Sequence, residues 1–280
     1  MLQRSDGGHQ LPAVSGNVPP SAVNMDLTMC GLLVDRAAAI AERYAAEQSW
    51  PAVKDAWFDE RLGERSTKDS SQGIFRVLSS RFNNAPPALP NPSSLPAIFE
   101  ACNRPVERAQ ILYLYLIADD PLVRHVIQRV IEAQLTTSNP TLDFSNETLV
   151  GYLEELTYAD GSTFEYAEST TIRWCEGLRS VLREIGVIDS QQSTTGSVPR
   201  LREVPLLVAV GYSYAVADDE QHWHESPRGL QYFFQPADEW EEAFDRVAAT
   251  DHWEYRTHHS GLALHPIDSP YGFSESLEEQ

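Results

Sequence analysis

The chain has 280 residues, 42% of them hydrophobic, and a formal net charge of −20. That length allows one large domain or two small ones with a sizeable core, and the acid excess excludes a surface that attracts polyanions from every side. Lys54 and Lys68 are the only lysines, so arginine supplies nearly all of the 21 basic residues, a balance that suits a salt-loving or a GC-rich source, the halophile being preferred.

Cys30, Cys102 and Cys175 are odd in number and far apart, which leaves no disulfide framework and no CxxC metal site. They read as small buried apolar residues of a reducing compartment. The first 24 residues are rich in Gly, Pro and Ser and lack the apolar stretch of a signal peptide. The most lipid-like run, "ILYLYLIA" from Ile111 to Ala118, falls short of the ~20 apolar residues a span requires. A cytoplasmic protein with no membrane contact is expected.

Residues 1–24 have little to bury and are expected to be a disordered tail. From Gly31 to about Gln48 the sequence is alanine-rich and helical, with Leu33, Ala37, Ile40, Ala41 and Tyr44 on one stripe. Ser49 and Pro51 mark the start of a second helix, with Val53 and Trp57 on one face. "TKDSSQGIFRVLSSRF" predicts a third helix, turning Ile74, Phe75, Val77, Leu78 and Phe82 inward. Residues 25–83 are therefore expected to form a helix-turn-helix-like bundle. Residues 84–96 hold Pro86, Pro87, Pro90, Pro92 and Pro96, a density that forbids helix and strand and implies a linker or strap.

Residues 97–217 continue with helices near 104–118, 122–135 and 147–156, the last capped by Ser145 or Asn146. "ESTTIRWCEGLRSVLREIGVID" then sets Cys175, Leu178, Val181, Leu182 and Ile185 on one helical face, offers Ser169, Thr170 and Thr171 as cap oxygens, and ends at Gly186, where a left-handed cap is expected. The pieces "VID" and "VPRLREV" around the turn "SQQSTTGS" suggest a β-wing, the layout of a winged helix-turn-helix. "PLLVAVGYSYAVA" reads as a closing helix, its β-branched content keeping a strand open as the alternative.

Residues 218–280 hold 15 acidic residues against Arg228, Arg246 and Arg256, together with Trp223, Trp240, Trp253 and six of the eight histidines. "PADEWEEAFDRVAA" is expected to be a helix and "LQYFF", "HWEYRTH" and "GLALHP" short strands, giving a small acidic α+β appendage. The fold class is thus mainly α: two helical bundles, the second with a β-wing, plus the appendage.

No Walker loop, nucleotide-binding GxGxxG, nucleophile elbow or HExxH is present. His222, His224, His252, His258, His259 and His265 could meet near Asp218, Asp219 and Glu220 as a metal site. The preferred reading is histidines decorating an acidic surface, with no metal and no cofactor. The basic helices carry more information. Arg61, Arg65, Lys68, Arg76 and Arg81 cluster in and before the third helix, with Ser66, Thr67, Ser70 and Ser71 at its start, where hydroxyls and N–H groups hold phosphates. Arg173, Arg179 and Arg183 lie off the apolar face of the 168–189 stretch, joined by Arg200 and Arg202 on the wing. The same arginines could instead pair with Glu176, Glu184 or the acidic appendage.

The stretches "LTMCGLLVDRAAAIAERY", "SW" with Val53, "ERSTKDSSQGIFRVLSSRF", "STTIRWCEGLRSVLREIGVID" and "VPRLREVPLLVAV" resemble the BrxA family of BREX bacteriophage-exclusion systems over about residues 25–216. The resemblance implies an all-helical fold of two helix-turn-helix-like bundles, DNA binding without catalysis, and work beside a DNA methyltransferase, an ATPase and a phosphatase-like protein. Carried onto this sequence by face and charge, the DNA-contact residues are Arg65, Thr67, Lys68, Ser71, Arg76, Arg173, Arg179 and Arg183. The alternative is a protein–protein adaptor in the same complex that does not touch DNA.

Overall fold

A computed structural model describes residues 18–28, 30–62, 68–135, 140–220, 222–258 and 261–278. Residues 1–17 of the expected tail lie outside this set. From Val18 onward the chain is packed: Val18, Val23 and Leu27 are buried, and the Val18 carbonyl accepts from the Ala159 amide at 2.9 Å. Helix α1 (Val34–Glu47) buries Ala37, Ala38, Ile40 and Ala41 and stops where Gln48 turns left-handed. Ser49 caps α2 (Trp50–Asp59), accepting from the Ala52 amide. Helix α3 (Lys68–Asn83) packs the predicted Ile74, Phe75, Val77, Leu78 and Phe82 inward.

The proline-rich strap is pinned against the core. The Pro90 carbonyl accepts from the Tyr115 hydroxyl, the Ala88 carbonyl from the Tyr271 hydroxyl, and Ala88 and Leu89 are buried. It leads into a short helix, α4 (Leu95–Ala101), which begins inside the stretch expected to be non-helical because Pro96 sits in its first turn. Helix α5 (Pro105–Asp119) follows, buried continuously from Ala109 to Ile117, and serves as the central rod of the fold.

Asp120 ends α5 and caps α6 (Pro121–Gln134), accepting from the Leu122 and Val123 amides at 2.9 and 3.2 Å. Burial pushes its carboxyl up to about 6, against the opposing pull of those two amides and the Arg81 guanidinium. The folded chain therefore holds this proton more tightly than the unfolded chain, whose value is about 3.9. Stability from the protonated cap is full below about pH 4 and is lost as pH rises through about 6. Asp120→Asn keeps an acceptor for the amides and cannot ionise. Its stability relative to the parent should rise by about 2–3 kcal/mol between pH 4 and 7, read as a widening gap between urea midpoints; a gap constant with pH would refute the assignment.

Strand β1 (Leu142–Asp143) and Ser145, the cap of α7 (Asn146–Glu154), precede α8 (Glu168–Glu184). Residues 155–167 join α7 to α8 and contain the isolated bridge Thr157↔Thr163. Helix α8 buries Trp174, Cys175, Leu178, Val181 and Leu182, and Gly186 takes a φ of +82° just past its end. No side chain among Ser169, Thr170 and Thr171 caps it; the cap position is Ala167. The β element beyond Gly186 is β2 (Thr195–Gly196), and its antiparallel partner is β1 rather than the "VID" segment. Val187 and Ile188 are committed to the core, and the Ser197 amide already takes the Val187 carbonyl at 2.9 Å.

Helix α9 (Glu203–Ala215) is the predicted closing helix, buried on all sides from Pro205 to Ser213. The acidic region follows as α10 (Arg228–Tyr232), α11 (Trp240–Ala248), the hairpin β3 (Trp253–His258) and β4 (Gly261–Pro266), and α12 (Gly272–Glu278). The hairpin matches expectation. The "LQYFF" strand does not form: it is α10 running into Phe233 and Phe234, both fully buried. Tyr113 and Phe144 of the earlier helical part pack on Phe233 and Phe234 at centroid distances of 5.4 and 5.9 Å. A single apolar core thus runs from Val18 to Phe273, and the acidic region packs mainly on α9, α6 and α4.

Candidate nucleic-acid interface

Helices α3 and α8 meet across a single turn of chain, Asp26–Thr28. On one side the Arg76 guanidinium pairs with Asp26 at 3.1 Å, its side chain still 69% exposed. On the other, Leu27 lies flat on α8 at Gly177, where an added Cβ would stand 2.2 Å from the Leu27 carbonyl oxygen. Arg173, exposed, sits one helical turn from Gly177 on the same stripe. Arg76 thus reaches this turn through Asp26, and Arg173 lies one helical turn along α8 from the glycine on which Leu27 packs.

The other sequence-predicted residues divide. Arg65 and Thr67 lie outside the described residues, as does the Lys68 side chain. Ser71 faces inward, its Oγ accepting from the Trp57 indole at 2.8 Å. Arg179 donates to the Phe144 carbonyl at 3.1 Å and to Asn146 Oδ1 at 2.8 Å, fastening α8 to the start of α7. Arg183 is half-buried, beside a Glu184 carboxyl that burial pushes above its ordinary range while the Leu32 amide and Arg81 pull it down. Arg81, grouped by sequence with the surface cations, is instead buried at 5% exposure, donating to the Gly31 and Cys30 carbonyls at 2.7 and 3.4 Å. Arg200 and Arg202 do not extend a wing beside α8. They precede α9 and line a cleft with Glu107 and Arg246.

Sequence reasoning missed Asp26 and Gly177, the two residues that join the basic helices. A glycine inside a strongly amphipathic helix was the available signal for close backbone approach. Among the described residues no group of three or more His, Cys, Asp or Glu comes together, and His259 with the His258 side chain lies outside them. His222 pairs with Asp219 at 2.9 Å and His265 is buried. The three cysteines are free and buried.

These features define a mainly helical protein with two small antiparallel sheets among its described residues. Among the described residues no helix is long and apolar enough to cross a membrane. A crystal structure of an uncharacterized protein from Magnetospirillum magneticum shares the fold at a TM-score of 0.52 and 14% identity, covering 76% of this chain and 98% of that one. None of the curated proteins matches the sequence. The BrxA family model matches residues 22–202. The chain belongs to the BrxA family, which ties it to BREX systems.

Proposed function

We propose that this protein is a non-catalytic, DNA-contacting assembly component of a BREX-type defence system. The observation that carries the reading is the Asp26–Thr28 turn, because Arg76 reaches it through Asp26 and Arg173 lies one helical turn along α8 from the glycine on which Leu27 packs. Arg183 is the further α8 cation of this reading, and Arg65, Thr67 and Lys68 are carried with it as proposed contacts on the strength of the sequence alone. Arg179 and Ser71, already bonded to protein partners, position α8 and α3. On a chain of net charge −20 the contact is local, modest in strength and salt-sensitive. Its partners are duplex DNA and the methyltransferase, ATPase and phosphatase-like protein of the system.

Replacing Arg76, Arg173 and Arg183 together with alanine should weaken binding to a labelled duplex by at least about tenfold at low salt. The helical circular dichroism should be unchanged, since the exposed Arg76–Asp26 pair is worth at most about 1 kcal/mol. Equal affinity of variant and parent would overturn the DNA reading.

The adaptor reading is favoured by one observation. Tyr255 and Leu262 on the β3–β4 hairpin, and Ile267 just beyond it, expose 38, 57 and 43% of their surface within the acidic region. Under that reading the parent protein shows no duplex binding and co-purifies with the methyltransferase or ATPase.

A further inference from the structure

A cleft of about 650 Å³ opens between the start of α5, the start of α9, and helices α11 and α12. Three guanidinium groups line it: Arg200, Arg202 and Arg246. The backbone carrying two of them is fixed by three consecutive carbonyls. Pro199 accepts from Gln235 Nε2 at 2.8 Å, Arg200 from Gln110 Nε2 at 3.3 Å, and Leu201 from Arg246 Nη2 at 2.8 Å. The backbone under Arg200 and Arg202 is thus set before any ligand arrives.

Glu107 forms part of the wall. It is 2% exposed, and its Oε2 accepts from the Asn103 amide at 2.8 Å. Its Oε1 is buried without a hydrogen bond, with Arg202 Nε standing off at 3.4 Å. The carboxylate therefore anchors Arg202 by charge without engaging its N–H donors. Arg200 is exposed and Arg246 uses one Nη on Leu201. Glu203 and His252 are the other titratable residues of its lining. Most guanidinium donors in the cleft are thus uncommitted, in an arrangement that suits a phosphate group. The start of α9, with no side-chain cap, adds two backbone amides of its first turn, since Pro205 has none to give.

The volume exceeds what a lone phosphate fills, and part of the lining is apolar, with the half-buried Val204 and Leu277 among its residues. We propose that this cleft binds a nucleoside phosphate, with the phosphate on Arg200, Arg202 and Arg246 and the base against the apolar side chains of Val204 and Leu277. The site is separate from the α3–α8 side, so it stands or falls independently of DNA contact there.

Isothermal titration of the full chain at low salt would use AMP, GMP, ribose 5-phosphate and inorganic pyrophosphate as probes. At least one mononucleotide should bind with a Kd below about 1 mM, at least about tenfold tighter than ribose 5-phosphate. Arg200→Ala, which removes an exposed side chain and none of the backbone anchors, should weaken that binding by about tenfold with an unchanged melting temperature. Three results would overturn the proposal: no mononucleotide binding, pyrophosphate or ribose 5-phosphate binding as tightly as the nucleotides, or an Arg200→Ala variant that binds like the parent.

Discussion

Gly229→Ala is expected to lower the thermal midpoint by roughly 6–12 °C, the equivalent of about 3 kcal/mol in a chain of this size. Gly229 is where α10 touches α9. An added Cβ would stand 2.0 Å from the Ala209 carbonyl oxygen and 2.8 Å from Ser213 Oγ, while the Gly229 amide donates to that same Oγ at 2.9 Å. The nearest obstacle is helix backbone, which cannot rotate aside as a side chain would. Relief requires α10 to withdraw, carrying Phe233 and Phe234 away from Tyr113 and Phe144. The control is Gly151→Ala in α7, where nothing lies within 4 Å of the new methyl. That exchange should stabilise by about 0.5–1 kcal/mol, the usual advantage of alanine over glycine in a helix. Differential scanning calorimetry of both variants checks the contrast, and equal midpoints would refute the close packing of α10 on α9.

Arg81→Ala should cost about 3–5 kcal/mol, the range found when one partner of a buried charge arrangement is removed. The guanidinium satisfies the Gly31 and Cys30 carbonyls and also acts electrostatically on Asp120 and Glu184. Without it, two carbonyls lose a donor and the buried Asp120 and half-buried Glu184 carboxyl groups lose their cation, so the Asp120 carboxyl is pushed up further. Adding Asp120→Asn to Arg81→Ala should therefore stabilise by about 1–2 kcal/mol more than the same exchange stabilises the parent, a departure from additivity. Urea unfolding of the two single variants and the double variant at pH 7 reads this coupling. Strict additivity would show that Arg81 and Asp120 do not act on one another.

Local signals were legible in the sequence wherever the physics was local. Ser49 caps the helix it was expected to cap, Ser145 is the one of the two candidates, Ser145 and Asn146, that caps α7, and Gly186 takes the left-handed turn. The apolar face Cys175, Leu178, Val181, Leu182 and Ile185 is buried as its spacing requires. Period-based reasoning failed for "LQYFF", because a segment buried on both sides has no polar face to reveal its period. The wing was misjudged for a related reason: strand pairing depends on what lies opposite, and β2 found β1, some fifty residues earlier.

The basic residues teach the same lesson at the site. A helical wheel assigns Arg81 and Arg179 to a side of their helices. It does not show that the Gly31 and Phe144 carbonyls lie within reach there. Both arginines turned out to join distant segments, whereas Arg173 and Arg76 remained at the surface. The cleft was invisible for the same cause, since Arg246 and Arg202 converge only after α11 packs on α9.

The most direct measurement of the central claim is the salt dependence of duplex binding, taken as log Kobs against log of salt concentration for the parent and the Arg76/Arg173/Arg183→Ala variant. Each phosphate contact contributes a slope of about −0.9, so the variant's slope should be shallower by about 2–3. Parallel lines for the two proteins would contradict the account, because these cations of α3 and α8 would then hold no phosphate at all.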